Sequence, residues 1–134
     1  MAEELLERAR EAAEAAHAPY SEYAVGATIL TADGTVYTGC NVENANYSNS
    51  LHAEEVALGS AVRDGHRSFE RLAVSSAVRD GVTPCGTCRQ TLAEFCDESF
   101  TVVTEGQKTG DDGSVERQLG TLLPDTITGE MVDR

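Results

Sequence analysis

Lysine is almost missing from this chain. Lys108 is the single one, and the remaining positive charges are arginines, against 23 Asp and Glu and a formal net charge of -13. Such a surface repels nucleic-acid backbones and anionic membranes, both of which are bound through clusters of Lys and Arg. It fits instead a protein kept soluble in a salt-rich cytoplasm, where screening removes most of the self-repulsion. Long apolar runs are missing too: none approaches the ~20 residues that span a bilayer. The first residues, Met1-Ala2-Glu3-Glu4, are acidic, unlike the start of a secretory signal. No membrane segment and a cytoplasmic location are therefore expected. Internal repeats and linker-like stretches are also lacking, so residues 1–134 read as a single domain, large enough to build a core without disulfides. Four Cys in such a chain are better read as metal ligands and small core residues than as a disulfide framework. Cys40 and Cys96 are expected to pack, leaving Cys85 and Cys88 to ligate.

Hydrophobic periodicity predicts an amphipathic helix over 3–17, with Leu5, Leu6, Ala9, Ala12, Ala13 and Ala16 on one face. His17 is expected to be an ordinary cation at its C-terminal end. Residues 23–31 and 35–42 read as strands joined by a hairpin turn through Ala32-Asp33-Gly34. A polar stretch follows, then a helix from His52 to about Asp64, with His66 in an exposed loop. Further strands are expected within 71–78 and over 100–104, with a helix over 85–97 between them. A flexible turn is expected over 106–114 and a short strand and helical turn within 115–123. A hairpin followed by alternating helices and strands implies an α/β protein with a mixed sheet covered on both faces.

Two stretches carry the chemistry. Leu51-His52-Ala53-Glu54-Glu55 opens one helix, and Thr83-Pro84-Cys85-Gly86-Thr87-Cys88 opens another. On a wheel of 3.6 residues per turn, Ala57, Leu58 and Ala61 share a stripe with Glu54 in its middle, while Glu55 falls on the flank. A carboxylate centred on a buried stripe is costly unless it is paired or its protonated form is wanted, so Glu54 calls for a functional reason. The helix phase puts His52 and Glu54 about 200° apart, so they can meet only beyond the N-terminal end. Cys85 and Cys88, at i and i+3, share a face at the start of the second helix. One imidazole and two thiols suit one zinc ion with an open fourth position, which catalytic zinc requires. Two helix N-termini aimed at the site favour thiolate over thiol.

H-x-E followed by P-C-x-x-C, with 29 residues between Glu54 and Pro84, resembles the signature of the zinc deaminases of nucleobases. With Tyr37-Thr38-Gly39-Cys40-Asn41-Val42-Glu43-Asn44-Ala45 and P-C-G-x-C-R-Q added, the chain more narrowly resembles the short cytidine deaminases, from about Tyr20 to Phe100. The resemblance implies a three-layer α/β/α sandwich around a five-stranded mixed sheet and hydrolytic deamination of cytidine and deoxycytidine to uridine and deoxyuridine. It implies zinc on His52, Cys85 and Cys88, with Glu54 as the proton carrier. It also implies that Asn41 and Glu43 bind the ribose 3′-hydroxyl, Tyr23 lies against the ligand, the Ala53 backbone holds the base carbonyl and the Thr83 carbonyl faces the leaving amine. A homotetramer is implied as well, with Tyr47 reaching across subunits. Two departures stand out. Where many short members have Cys and Arg, this chain has His52 and Glu55. Where they have Phe after L-L-P, it has Ile127 beyond Leu122-Leu123-Pro124.

Other readings are a deaminase of another cytosine compound, such as blasticidin S, and, from a different class, a structural-zinc or redox C-x-x-C binding protein. The first has to account for the ribose-type Asn41-Val42-Glu43 run. The second needs Glu54 as a fourth ligand, or leaves His52 and Glu54 without a role.

Overall fold

A computed structural model describes residues 2–76, 78, 81–106 and 113–132. The chain runs α1 (Ala2–Ala13), β1 (Val25–Thr31), β2 (Val36–Cys40), α2 (Ala53–Arg63), β3 (Phe69–Ser76), α3 (Gly86–Phe95), β4 (Thr101–Glu105), β5 (Ser114–Gln118) and the single turn α4 (Leu119–Leu122). Residues 107–112 of the turn expected over 106–114, and Ala77 of the strand expected within 71–78, lie outside the described residues.

The sheet order is β2-β1-β3-β4-β5. Only β3 and β4 pair in parallel; β1 pairs antiparallel with both its neighbours, as β5 does with β4. The parallel neighbours β3 and β4 are joined through a helix, α3, as a same-direction crossover requires. β1 lies in the interior of the sheet and is buried on both faces from Gly26 onward. Alternation along the strands feeds two cores. Leu30, Ala73 and Val103 face Leu5 and Leu6 of α1. Ala27, Ile29, Leu72, Val74 and Val102 face Ala53, Ala57, Leu58 and Ala61 of α2 and Leu92 of α3. This is the three-layer α/β/α sandwich with a five-stranded mixed sheet.

α1 starts with Glu3 and Glu4 and carries Arg10 in its last turn, charges that suit the two ends of its dipole. It stops at Ala13, short of the predicted end at residue 17. The N–H groups of Glu14, Ala15 and Ala16 turn to carbonyls three residues back, and the chain then leaves the helix. The cause is tertiary: the His17 N–H donates to the Asn41 carbonyl and the Glu43 N–H to the His17 carbonyl, a short parallel bridge beside Val42. His17 therefore pairs with the sheet edge, beyond the end of α1 rather than in its last turn.

Two glycines let helices sit on the sheet at backbone distance. A Cβ on Gly26 would stand 1.9 Å from the Ala9 carbonyl oxygen of α1, and one on Gly39 would stand 2.5 Å from both the Ala53 oxygen and the Ala57 nitrogen of α2. The two positions are neighbours in register, since Gly26 pairs with Cys40 and Ala27 with Gly39. α1 and α2 thus press on the same point of the β1–β2 hairpin from opposite faces.

The hairpin turn is held by Asp33, whose Oδ1 accepts from the hydroxyls of Thr31 and Thr35 and from the Thr35 N–H. Those bonds lower its pKa to about 2. His66, expected in an exposed loop, is tucked against this hairpin. Its ring meets Tyr37 edge-on at 5.4 Å, and its Nδ1 lies 3.8 Å from Asp33. Cys96 packs against the larger core at the end of α3, where burial pushes its thiol up to about 12.

Candidate active site

Beyond Cys40 the edge strand continues as a ribbon. Val42 exchanges both backbone hydrogen bonds with Leu51, at 2.9 and 2.8 Å, which lays the start of α2 alongside Asn41 and Glu43. His52 is the N-cap of α2, in extended conformation (φ -86°, ψ 150°). Its backbone N–H donates to Glu55 Oε1 at 3.0 Å. The flank position of Glu55 thus acquires a reason: a carboxylate at N3 reaching back to the N-cap amide is half of a capping box.

Cys85 is likewise an N-cap, that of α3, with φ -71° and ψ 173°. It is exposed, while Cys88, one turn on, is buried at 1% exposure. Both sulfurs lie 3.2 Å from His52 Nδ1, and the three candidate ligand atoms fall within 4.8 Å of one another. Among the described residues no fourth His, Cys, Asp or Glu belongs to this cluster. One imidazole nitrogen and two thiols are a donor set that zinc accepts with a coordination position to spare. Protein alone does not favour the ligating form of Cys88: burial first, then the charges of Glu54 and Cys85, push its pKa up. A cation at the cluster reverses that balance, since a coordinated thiol is deprotonated outright.

Glu54 stands on the inner face of α2, 7% exposed, as the helix phase predicts. Burial raises its carboxyl pKa, against the smaller lowering effects of its own backbone N–H, of His52 and of the Cys88 sulfur. A buried carboxyl beside the cluster but outside it has the properties of a proton carrier.

A cavity of about 520 Å³ opens in front of these groups. It brings together Tyr23, Asn41, Glu43, Tyr47, His52, Ala53, Glu54, Thr83 and Cys85, with Cys88 buried behind them. Two of these side chains are already engaged. Asn41 accepts the Val25 N–H at 2.9 Å through Oδ1 and donates through Nδ2 to the Tyr23 carbonyl at 2.8 Å. It therefore stands in for one more rung of sheet, and β1 begins at Val25 rather than at the expected residue 23. Glu43 accepts the Tyr20 and Ser21 N–H groups at 3.0 and 3.1 Å through Oε1 and the Ser21 hydroxyl through Oε2. The Ser21 hydroxyl is the main reason its pKa is lowered, so the carboxylate stays ionised. Tyr20 and Ser21 also line the cavity and were not expected there. Tyr20 meets Tyr47 edge-on at 5.5 Å at the rim. Their only sequence signal is the helix-breaking Ala18-Pro19, which marks a turn without saying where it folds. Ile127, the residue in place of the usual Phe, is not among the cavity's lining; its carbonyl accepts from Gln90 Nε2 at 2.9 Å.

Residues 1–104 match the family model described as the cytidine and deoxycytidylate deaminase zinc-binding region. The chain belongs to the cytidine deaminase family. It is 43% identical over 129 residues to a cytidine deaminase of Sporosarcina psychrophila, covering 96% of this chain and 92% of that one. It is 38% identical over 119 residues to a cytidine deaminase of Mycobacterium tuberculosis, covering 89% and 84%. The crystal structure of a cytidine deaminase from Burkholderia pseudomallei superposes with a TM-score of 0.84 at 41% identity, covering 92% of this chain and 97% of that one. The Mycobacterium tuberculosis structure gives 0.79 at 36% identity, covering 92% and 94%. The five-stranded mixed sheet flanked by helices is thus the sheet of cytidine deaminases.

Proposed function

We propose that this chain is a zinc-dependent cytidine deaminase that hydrolyses cytidine and deoxycytidine to uridine and deoxyuridine with release of ammonia, all of residues 1–134 acting as one catalytic domain. The observation that carries this reading is the meeting of His52 Nδ1, Cys85 Sγ and Cys88 Sγ beside the buried carboxyl of Glu54. His52, Cys85 and Cys88 would hold one zinc ion, which supplies Lewis acidity and makes water a nucleophile at neutral pH.

The remaining chemistry belongs to the chain. Glu54 takes the proton of the attacking water and delivers it to the ring nitrogen next to the amine-bearing carbon. Its raised pKa suits both halves of that shuttle, because a carboxyl that is too acidic returns a proton poorly. The water oxygen adds at C4 of cytosine, and the proton left on that oxygen then passes through Glu54 to the amine, which departs as ammonia as the C4 carbonyl forms. The backbone of Ala53 receives the base carbonyl and the Thr83 carbonyl faces the leaving group. Tyr23 packs against the ligand, and Asn41 and Glu43 take the ribose 3′-hydroxyl, each with its orientation already set by the backbone it holds.

The ionised Glu43 at the sugar end opposes a phosphate, so nucleosides are preferred over nucleotides. An ultraviolet assay on cytidine, deoxycytidine, CMP and a short oligodeoxynucleotide checks this. Turnover of the two nucleosides is expected, with CMP and the oligonucleotide slower by about tenfold or more; equal or faster CMP turnover overturns the nucleoside assignment.

Assembly and setting are part of the same proposal. Tyr47 is 71% exposed at the cavity rim, which the exposed Leu51 also lines, and this supports a homotetramer in which the rim meets another subunit. No described helix is long and apolar enough to cross a membrane. The charge of -13 with a single lysine supports a cytoplasm rich in salt. Sedimentation and thermal unfolding across the molar salt range test both: a tetramer that gains stability with salt is expected, and a monomer, or greater stability in dilute buffer, counts against them.

A further inference from the structure

We infer that Arg89 is a positioning residue for the zinc site, holding the exposed ligand Cys85 in place through the Thr83 hydroxyl and the Pro84 carbonyl and anchoring that loop to the C-terminal segment. The two thiols of the site differ in how they are fixed. Cys88 lies within α3, buried at 1% exposure and carried by the helix. Cys85 is the exposed N-cap of that helix, with no side-chain capping bond, so its sulfur is only as well placed as the loop that leads into it.

That loop is gripped by one side chain. Arg89 Nε donates to the Pro84 carbonyl at 2.6 Å, and a terminal nitrogen donates to Thr83 Oγ1 at 3.1 Å. The other terminal nitrogen donates to the Leu122 carbonyl at 2.7 Å, at the end of α4. All three guanidinium nitrogens are therefore used, on two separate segments of chain. The Arg89 backbone N–H adds the first helical bond, to the Cys85 carbonyl at 2.9 Å. Arg89 follows the buried ligand Cys88 directly in sequence, so the guanidinium transfers the firm position of one sulfur to the other. Lysine cannot reproduce this, because a single ammonium on a flexible stem lacks the planar fork of donors.

The Leu122 contact gives the C-terminal segment a share in the site without touching the cavity. It compensates for α4 being a single turn, whose last carbonyls need partners. The neighbouring Gln90 donates likewise to the Ile127 carbonyl and, among the described residues, makes no side-chain hydrogen bond to Thr83, Pro84 or Cys85. It is the natural control.

This inference rests on the zinc assignment above, and the test separates the two. Zinc content of the purified wild-type protein is measured first; a metal-free wild type overturns the assignment itself. Zinc release to a chromogenic chelator is then followed in wild type, R89K, R89A and Q90A, with thermal unfolding recorded for each. Supporting groups around metal ligands typically change affinity 10- to 100-fold when lost. Release about tenfold faster or more is expected in R89A and R89K, with near-wild-type release in Q90A. Folded R89K that releases zinc at the wild-type rate overturns the role of Arg89. So does equally fast release from Q90A, which would mean that any loosening of the C-terminal segment suffices. If R89A does not fold, R89K and Q90A decide the question alone.

Discussion

Glu54→Gln is expected to lower kcat for cytidine by about 10²–10⁴-fold, the range that a positioned proton carrier contributes. The amide keeps the shape of the carboxyl but cannot accept and return a proton. Glu54 lies outside the ligand cluster, so zinc content should stay at the wild-type level. Removing a carboxyl whose pKa is raised by burial should not cost stability, because the neutral amide escapes the desolvation that the ionised form suffers. Kinetics, metal analysis and thermal unfolding on one preparation read all three. Near-normal turnover would remove Glu54 from the mechanism, and lost zinc with lost activity would make it a ligand.

The second large effect comes from a residue with no side chain. Gly39→Ala places a Cβ 2.5 Å from the Ala53 oxygen and the Ala57 nitrogen, and both are backbone atoms that cannot rotate aside. α2 must lift from β2, at a cost of about 1–3 kcal/mol for overpacking. The displaced turn carries His52 and Glu54, so kcat should fall in the protein that remains folded, alongside a lower melting temperature. A control is Gly59→Ala on the same helix, where an added Cβ meets nothing within 4 Å. That change should be neutral or slightly stabilising in a helix interior. Equal stability of G39A and G59A in denaturant melts would show that α2 is not seated on Gly39.

The His52, Cys85 and Cys88 cluster and the buried position of Glu54 were legible because each is local. Spacing puts Cys85 and Cys88 on one turn, and helix phase puts Glu54 on the buried stripe. The sheet with helices on both faces was legible from element order. What the sequence hid was set by partners distant along the chain. The early stop of α1 reflects pairing of His17 with the edge strand, which helix periodicity through Ala16 cannot register. Ser21 and Tyr20 reach the cavity because Glu43 holds their amides across a turn. Glu55 could be placed on the flank of the helix by phase, but its bond to the His52 amide could not. Arg89 stands in the P-C-G-x-C-R-Q run, but nothing in that run shows its bond to the Leu122 carbonyl, which comes from another part of the fold.

The pinch at Gly26 and Gly39 has a consequence for how the molecule comes apart. An outer strand is ordinarily the first piece of a sheet to fray, yet here β2 is seated against α2 at Gly39 while its neighbour β1 is seated against α1 at Gly26, one register step away. Freeing β2 therefore means parting it from α2 as well as from β1. The first turn of α2, which carries His52 and Glu54, is therefore tied to that border through Gly39, so local opening of the rim has to disturb the helix as well as the strand.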